Sequence, residues 1–176
     1  MSKAFNFEFK LSKESINGLL VNLKSFRKEL KLAKNEILIE LANYTKQLVQ
    51  KNIQDTVSNG GYSSTNQLLN SIQISEIMND MIRIYTDLWY AKYVEYGTGI
   101  VGKHPVAAQE GWSYDVNEHG EDGWVYKASD GNFYWTQGEE AHMFMMNAYE
   151  ELKKNYLPIV KQVLRKRGIV KWILIF

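Results

Sequence analysis

From residue 26 to about 57 the chain carries one unbroken periodic pattern. Leu30, Ala33, Ile37, Leu41, Tyr44 and Leu48 recur at intervals of three and four, with Leu38, Ala42, Thr45, Val49 and Ile53 beside them. Side chains spaced this way share one face of an α-helix, so the pattern predicts a long amphipathic helix with a broad apolar stripe. Ser25 is its candidate N-cap. Arg27, Lys28, Lys31 and Lys34 crowd the first turns, where positive charge opposes the helix dipole. They suit either an external contact or a solvated face.

Shorter elements flank this helix. Phe5, Phe7 and Phe9 alternate with polar residues, as in a half-buried strand. Ser12, with Ser15 nearby and Glu14 in the first turn, opens a short helix through about Leu23, weakened by Gly18. Residues 59–64 form a loop. Residues 71–77 and 81–86 alternate as two strands about the turn Met78-Asn79-Asp80, a β-hairpin. A second hairpin is expected where Trp124-Val125-Tyr126-Lys127 and Phe133-Tyr134-Trp135-Thr136 flank the turn dipeptide Asp130-Gly131. With Trp112 and Tyr114 it makes an inserted aromatic β lobe over 100–138. Glu139 and Glu140 open a helix through about Tyr156, Pro158 breaks or restarts it, and Gly168 ends it. The apolar run 169–176 must be buried, in its own sheet or against another subunit.

Between the two hairpins lies Tyr90-Ala91-Lys92-Tyr93-Val94-Glu95-Tyr96-Gly97-Thr98-Gly99. Tyr90, Tyr93 and Tyr96 fall three apart, one turn of helix, and Gly97 and Gly99 would stop that turn. A short helix ending at a glycine turn is a positioning device.

Composition excludes several classes. The 176 residues are 45% hydrophobic and 13% aromatic, enough for a core in one domain, 1–176, carrying the inserted lobe. No run of roughly 18 apolar residues offers a membrane span. Met1-Ser2-Lys3-Ala4-Phe5 lacks the apolar core of a signal peptide. Cysteine is absent, which removes disulfides, thiolate metal sites and cysteine nucleophiles. The near-neutral net charge of +1 hides an uneven distribution: Glu110 to Glu140 holds eight acids against Lys127, and Lys153 onward holds seven bases and no acid. Such patches can pair within one molecule or between copies.

No constellation makes a convincing catalytic centre. Gly97-Thr98-Gly99-Ile100-Val101-Gly102 matches the dinucleotide glycine pattern in letters, but Lys103-His104-Pro105 follows where a helix N-terminus is required. His119 lies near Asp115, Glu118, Glu121 and Asp122, yet no paired histidine spacing supports a metal site. Ser63 and Ser64 lack a nucleophile-elbow context. Arg165-Lys166-Arg167 with Lys161 could touch phosphates, but the run is short and its single nearby aromatic is Trp172. The Met143–Met146 cluster suits a core.

The order of the pieces resembles a known family, the neck, head–tail joining or minor tail-component proteins of long-tailed bacteriophages. That family shows a helical N-terminal half, a TG-L--SI segment, a strand pair, a YA--VE-GT motif and a closing A-PF---A helix start. Here the three motifs are Thr65-Asn66-Gln67-Leu68-Leu69-Asn70-Ser71-Ile72, then Tyr90 to Gly99 as above, then Ala141-His142-Met143-Phe144-Met145-Met146-Asn147-Ala148. Asn66 stands where the family has glycine, and Met143 where proline is common.

The resemblance implies structural work: copies forming a homo-oligomeric ring at the head–tail junction of a virion assembled in the host cytoplasm. It implies no catalysis and no cofactor. Its partners would be head connector or completion proteins, tail terminator or tube proteins, and passing DNA. Tyr93, Glu95, Tyr96, Gly97, Thr98 and Gly99 are the residues expected to fix the turn or meet a neighbour, joined by Arg165, Lys166, Arg167 and Trp172. The fold expected is α+β, a small, mostly antiparallel sheet packed against the long N-terminal helix and a C-terminal helix. Rival readings are a tail terminator or completion protein at the top of the tube, a metal-dependent hydrolase built on His119, and a nucleic-acid binder using the basic tail.

Overall fold

The computed structural model describes residues 12–58, 66–102, 122–128 and 130–169. The strand expected at Phe5 to Phe9, the loop 59–64, most of the lobe 100–138, His104, His119 and the terminal run beyond Ile169 lie outside the described residues. In chain order the elements are α1 (Lys13–Ser58), α2 (Gln67–Ser71), β1 (Gln73–Ile74), β2 (Ile84–Tyr85), α3 (Ala91–Tyr96), β3 (Thr98–Gly99), β4 (Trp124–Lys127), β5 (Phe133–Thr136), β6 (Gly138–Glu139) and α4 (Phe144–Lys166). This is the α+β class expected, with the antiparallel strands of the described residues divided among three two-stranded ladders, β1–β2, β3–β6 and β4–β5.

The two helices expected before residue 58 are a single helix. α1 runs for 46 residues through both Gly18 and Ser25, roughly 70 Å along its axis at 1.5 Å per residue. It starts where Ser12 predicts: the Ser12 carbonyl accepts the Ile16 amide at 3.0 Å. Its own backbone amide and the Ser12 hydroxyl hold the Glu14 carboxyl below the usual carboxylate range. Gly18 costs only about 1 kcal/mol in a helix interior. Ser25 caps a helix only if the residues before it leave helical geometry, and nothing in 19–24 makes them do so.

The chain divides into two compact units, Leu38–Leu157 and Met1–Ile37 with Pro158–Phe176. The larger unit holds the main core. Leu48, Val49 and Ile53 of α1 meet Leu68 of α2, Ile72, Ala91 and Val94 of α3, and Phe144 and Ala148 of α4, with Tyr44, Ile84 and Leu88 packed around them. Phe144, Leu68 and Ile72 are each only 1% exposed, and full burial of such side chains stabilises by about 1.5–3 kcal/mol apiece. Polar groups on α1 bind neighbouring backbone at the margin of this core. Asn52 Nδ2 donates to the Phe144 carbonyl at 3.0 Å and Gln50 Nε2 to the Leu69 carbonyl at 3.2 Å.

The first hairpin forms about the predicted turn but with shorter strands. Asn79 and Asp80 both have positive φ, 51° and 62°, and Met78 and Met81 exchange amide hydrogen bonds of 2.9 and 3.0 Å. That is the two-residue type I′ geometry that Asn and Asp tolerate. Gln73 faces Tyr85 and Ile74 faces Ile84, whereas Met78 bridges Met81. Glu76 and Ile77 therefore stand opposite Ile82 alone, a bulge that interrupts the ladder. Beside it the Arg83 amide donates to the Ser75 hydroxyl at 3.0 Å. The second hairpin has the predicted strands, pairing Trp124 with Thr136 through Lys127 with Phe133.

Two expectations at the C-terminal helix are corrected. Glu139 does not open it; Gly138 and Glu139 form β6 against Gly99 and Thr98, and α4 begins at Phe144. Pro158 does not break it, but lies inside α4. Proline at 158 leaves the Lys154 carbonyl without its usual amide donor. Both residues are exposed, so water can hydrate that carbonyl. Gly168 ends the helix as predicted. Its φ is 68°, and the Gly168 amide bonds the Arg165 carbonyl at 2.9 Å while the Ile169 amide bonds the Leu164 carbonyl at 3.0 Å. This is a Schellman cap, and Ile169 beyond it is 1% exposed.

In the smaller unit Ala33, Val163 and Ile169 are buried. Lys166 Nζ meets Glu36 Oε1 at 2.9 Å, and Arg167 bonds Glu36 and Glu29. Lys166 and Arg167 hold the Glu36 carboxyl below its usual range.

Candidate interaction site

The stretch from Tyr90 to Gly99 makes the helical turn its tyrosines predict, and Gly97 stops it. The Gly97 amide bonds the Tyr93 carbonyl at 2.8 Å with φ at 75°. A Cβ at residue 97 would meet the Glu139 carbonyl oxygen and the Gly102 Cα at 2.7 Å, and one at Gly99 would meet the Gln137 carbonyl oxygen at 2.1 Å. These glycines serve close backbone approach, not a phosphate. Thr98 Oγ1 accepts the Glu139 amide at 3.1 Å. Among the described residues that follow, 100–102 are turn.

What this turn positions is the start of α4. The His142 amide donates to the Val94 carbonyl at 3.1 Å and the Met143 amide to the Glu95 carbonyl at 2.9 Å. The Glu95 carboxylate accepts the Met145 amide at 2.8 Å and the Met146 amide at 3.0 Å, one through each oxygen. The first amides of a helix have no partner within it, and their end of the dipole is positive. Glu95 supplies the missing acceptor from across the fold, buried at 6% exposure. Burial pushes its carboxyl above the usual carboxylate range, while the amides of Met145, Met146 and Phe144 pull it back.

Met143 links β6 to α4 with φ at 51° and its side chain buried. Proline cannot take that φ and has no amide to give Glu95. The residue at 143 therefore departs from the resemblance for a reason visible in this backbone. His142 Nε2 lies 3.1 Å from Glu139 Oε1, closing the same junction from its other side.

The tyrosines take different parts. The Tyr90 hydroxyl donates to Gln67 Oε1 at 3.3 Å, tying α3 to α2. Tyr93 meets the Trp89 ring edge-on at 5.9 Å and lies beneath Lys92 Nζ at 5.3 Å. Trp89 itself is 76% exposed. Leu88, Trp89, Tyr93, Tyr96 and Met145 line an open groove of about 590 Å³, and the charged Asp87 and Lys92 belong to the same lining.

The remaining candidates lie elsewhere. Lys166 and Arg167 are engaged with the acids of α1, Arg165 is exposed, and Trp172 lies outside the described residues. Of the acids around His119 only Asp122 is described. Among the described residues no three His, Asp or Glu side chains gather as metal ligands, and no helix is long and apolar enough to cross a membrane.

The capping role of Glu95 escaped the reading of the sequence, although a signal existed. Ala141-His142-Met143-Phe144 contains no Ser, Thr, Asp or Asn to cap the helix it opens. The cap had to come from elsewhere, and Glu95 is the acid set among apolar residues just before a glycine stop.

Neither a curated protein nor a solved structure matches the chain. Residues 17–97 match the family model described as Bacteriophage HK97-gp10, putative tail-component, so that from the first turns of α1 to the glycine that stops α3 this chain follows the pattern of a phage tail-component family.

Proposed function

We propose that this chain is a structural subunit of a tailed phage, assembling as a ring at the head–tail junction to join the tail to the capsid connector. The observation that carries the reading is the family match over 17–97, which ends on the stretch that organises the fold. The chemistry of that stretch supports it. Its buried carboxylate is spent on a helix terminus and its glycines on backbone approach, which suits residues that build a junction. A structural family fits a chain without catalysis. Head connector or completion proteins on one side, and terminator or tube proteins on the other, are the partners such a ring requires.

The test is electron microscopy of lysates from the producing phage with this gene disrupted. Filled heads and free tails of normal length, lying unjoined, are the expected result. Free tails of irregular length would move the chain to termination of the tube. Normal infectious particles would overturn the structural role.

A further inference from the structure

We propose that residues 170–176 of this chain lie along the exposed apolar stripe on the first turns of α1, a strap that completes the smaller unit. Ile16, Leu23, Leu30 and Ile37 recur every seven residues on α1, with Phe26 and Ala33 between them at the same interval. Residues spaced alternately three and four apart form one seam along a helix, the pattern by which a helix packs on a neighbour. The burial of this seam changes along its length. Ala33 is 1% exposed and Ile37 is half-buried, whereas Leu30, Leu23 and Ile16 are 41%, 50% and 44% exposed. From Lys13 to Ser25 every described side chain is exposed, so no described part of the chain covers the seam there.

The change falls where α4 stops. Lys166 and Arg167 meet Glu36, and Arg167 meets Glu29. Glu29 and Glu36 each stand one residue before a seam position, so these ion pairs fix the end of α4 at the edge of the seam. The cap at Gly168 then turns the chain, and Ile169 is buried at 1% exposure. From Glu29 back to Lys13, α1 runs on for roughly 24 Å at 1.5 Å per residue.

The occupant follows from what leaves that buried end. Val170-Lys171-Trp172-Ile173-Leu174-Ile175-Phe176 begins at the bond after Ile169 and holds six apolar side chains to one lysine. It belongs to the same unit as the first turns of α1. Seven extended residues reach roughly 23 Å, enough to follow the uncovered seam to Ile16. The tether holds the segment beside the seam at an effective concentration of roughly millimolar, which favours it over a free partner. The other apolar terminal segment, Phe5 to Phe9, joins α1 at its far end and alternates with polar residues, so one of its faces suits water. The segment 170–176 carries apolar side chains at both alternate sets of positions, and it needs cover as the seam does.

A chain ending at Ile169 keeps the cap and the ion pairs and removes only the strap. Hydrogen exchange read by mass spectrometry compares it with the full chain over residues 16–28, with residues 44–53 as the internal reference. Residues 16–28 should exchange slowly in the full chain and roughly tenfold faster after truncation, the reference staying unchanged. Equal exchange of residues 16–28 in the two chains overturns the strap; if both are slow, Phe5 to Phe9 or a second copy covers the seam instead. Should truncation also loosen the reference, a cross-link in the full-length chain decides. The chain has no cysteine, so Leu23→Cys is combined in turn with Trp172→Cys, Ile173→Cys and Leu174→Cys and oxidised. At least one pair should close within a single chain, giving a faster-migrating monomer on a non-reducing gel. Dimers alone, or no disulfide from any pair, overturn the proposal.

Discussion

The junction around Glu95 and the β4–β5 hairpin draw on the same residue types and use them in opposite directions. Both hold aromatics, acids and a glycine turn. At the junction the acid faces inward, Glu95 giving both carboxylate oxygens to the amides of Met145 and Met146. In the hairpin the acid serves only its own turn, and Val125, Phe133 and Trp135 face solvent. The difference is one of backbone approach. Gly97 and Gly99 let two strands and a helix start come within contact of each other, which buries what lies between them. A Cβ at Gly131 would meet open space, so no close backbone approach requires that glycine. One region builds the subunit and the other leaves its large apolar side chains in solvent.

Substitutions at the junction should therefore destabilise the chain, and substitutions on the hairpin face should not. Met143→Pro is the harshest test, because it removes the hydrogen bond from the residue 143 amide to the Glu95 carbonyl and forbids the observed φ. It should destabilise by about 3 kcal/mol or more in chemical denaturation. A stable Pro variant would show that the junction can take the family's more usual backbone. Gly97→Ala follows, at about 2–3 kcal/mol from the unfavourable φ and the contact with Glu139. An unchanged midpoint would mean that the turn is loosely held.

Glu95→Gln keeps the shape but turns an amino group toward one of the two amides. Its expected cost is about 2 kcal/mol at acid pH. The sign of the pH dependence is set by burial. A raised folded-state pKa means that the folded chain holds the proton more tightly than the unfolded one. The resulting stabilisation is complete below the ordinary carboxylate range and is lost as pH rises through the raised value. The gap between wild type and Gln variant should narrow over that interval; a gap that widens would show that the amides outweigh burial. Glu36, with its lowered pKa, should act oppositely. Its contribution is present above the ordinary carboxylate range and lost as pH falls through the folded value. Phe133→Ser, on the exposed hairpin face, should shift stability by no more than about 0.5 kcal/mol. A larger loss would place that ring in a core.

Much of the fold was legible because local chemistry decided it. The three-and-four repeat gave α1, Asn79-Asp80 and Asp130-Gly131 gave the hairpin turns, and Gly168 gave the end of α4. The misreadings share a physical cause, a local signal overruled by tertiary partners or by the continuity of a helix. Ser25 resembled a cap but followed six residues with no reason to leave the helix. Glu139 resembled a first-turn acid, but Thr98 and Gly99 captured its backbone into a ladder. Pro158 stayed inside α4, where it and Lys154, whose carbonyl it leaves without an amide, are both exposed. Within the candidate site the short helix and its glycine stop were readable. Their purpose was not, because the Met145 and Met146 amides lie 50 and 51 residues from Glu95 in the chain.

The division of labour is tested most directly by returning the chain to a gene-disrupted phage with Phe133→Asp and viewing the lysate by electron microscopy. If the hairpin face is the assembly surface, the variant chain is soluble and folded while filled heads and free tails remain unjoined, the same result expected without the gene. Joined, infectious particles built with Phe133→Asp would contradict that assignment and leave the hairpin without a part in assembly.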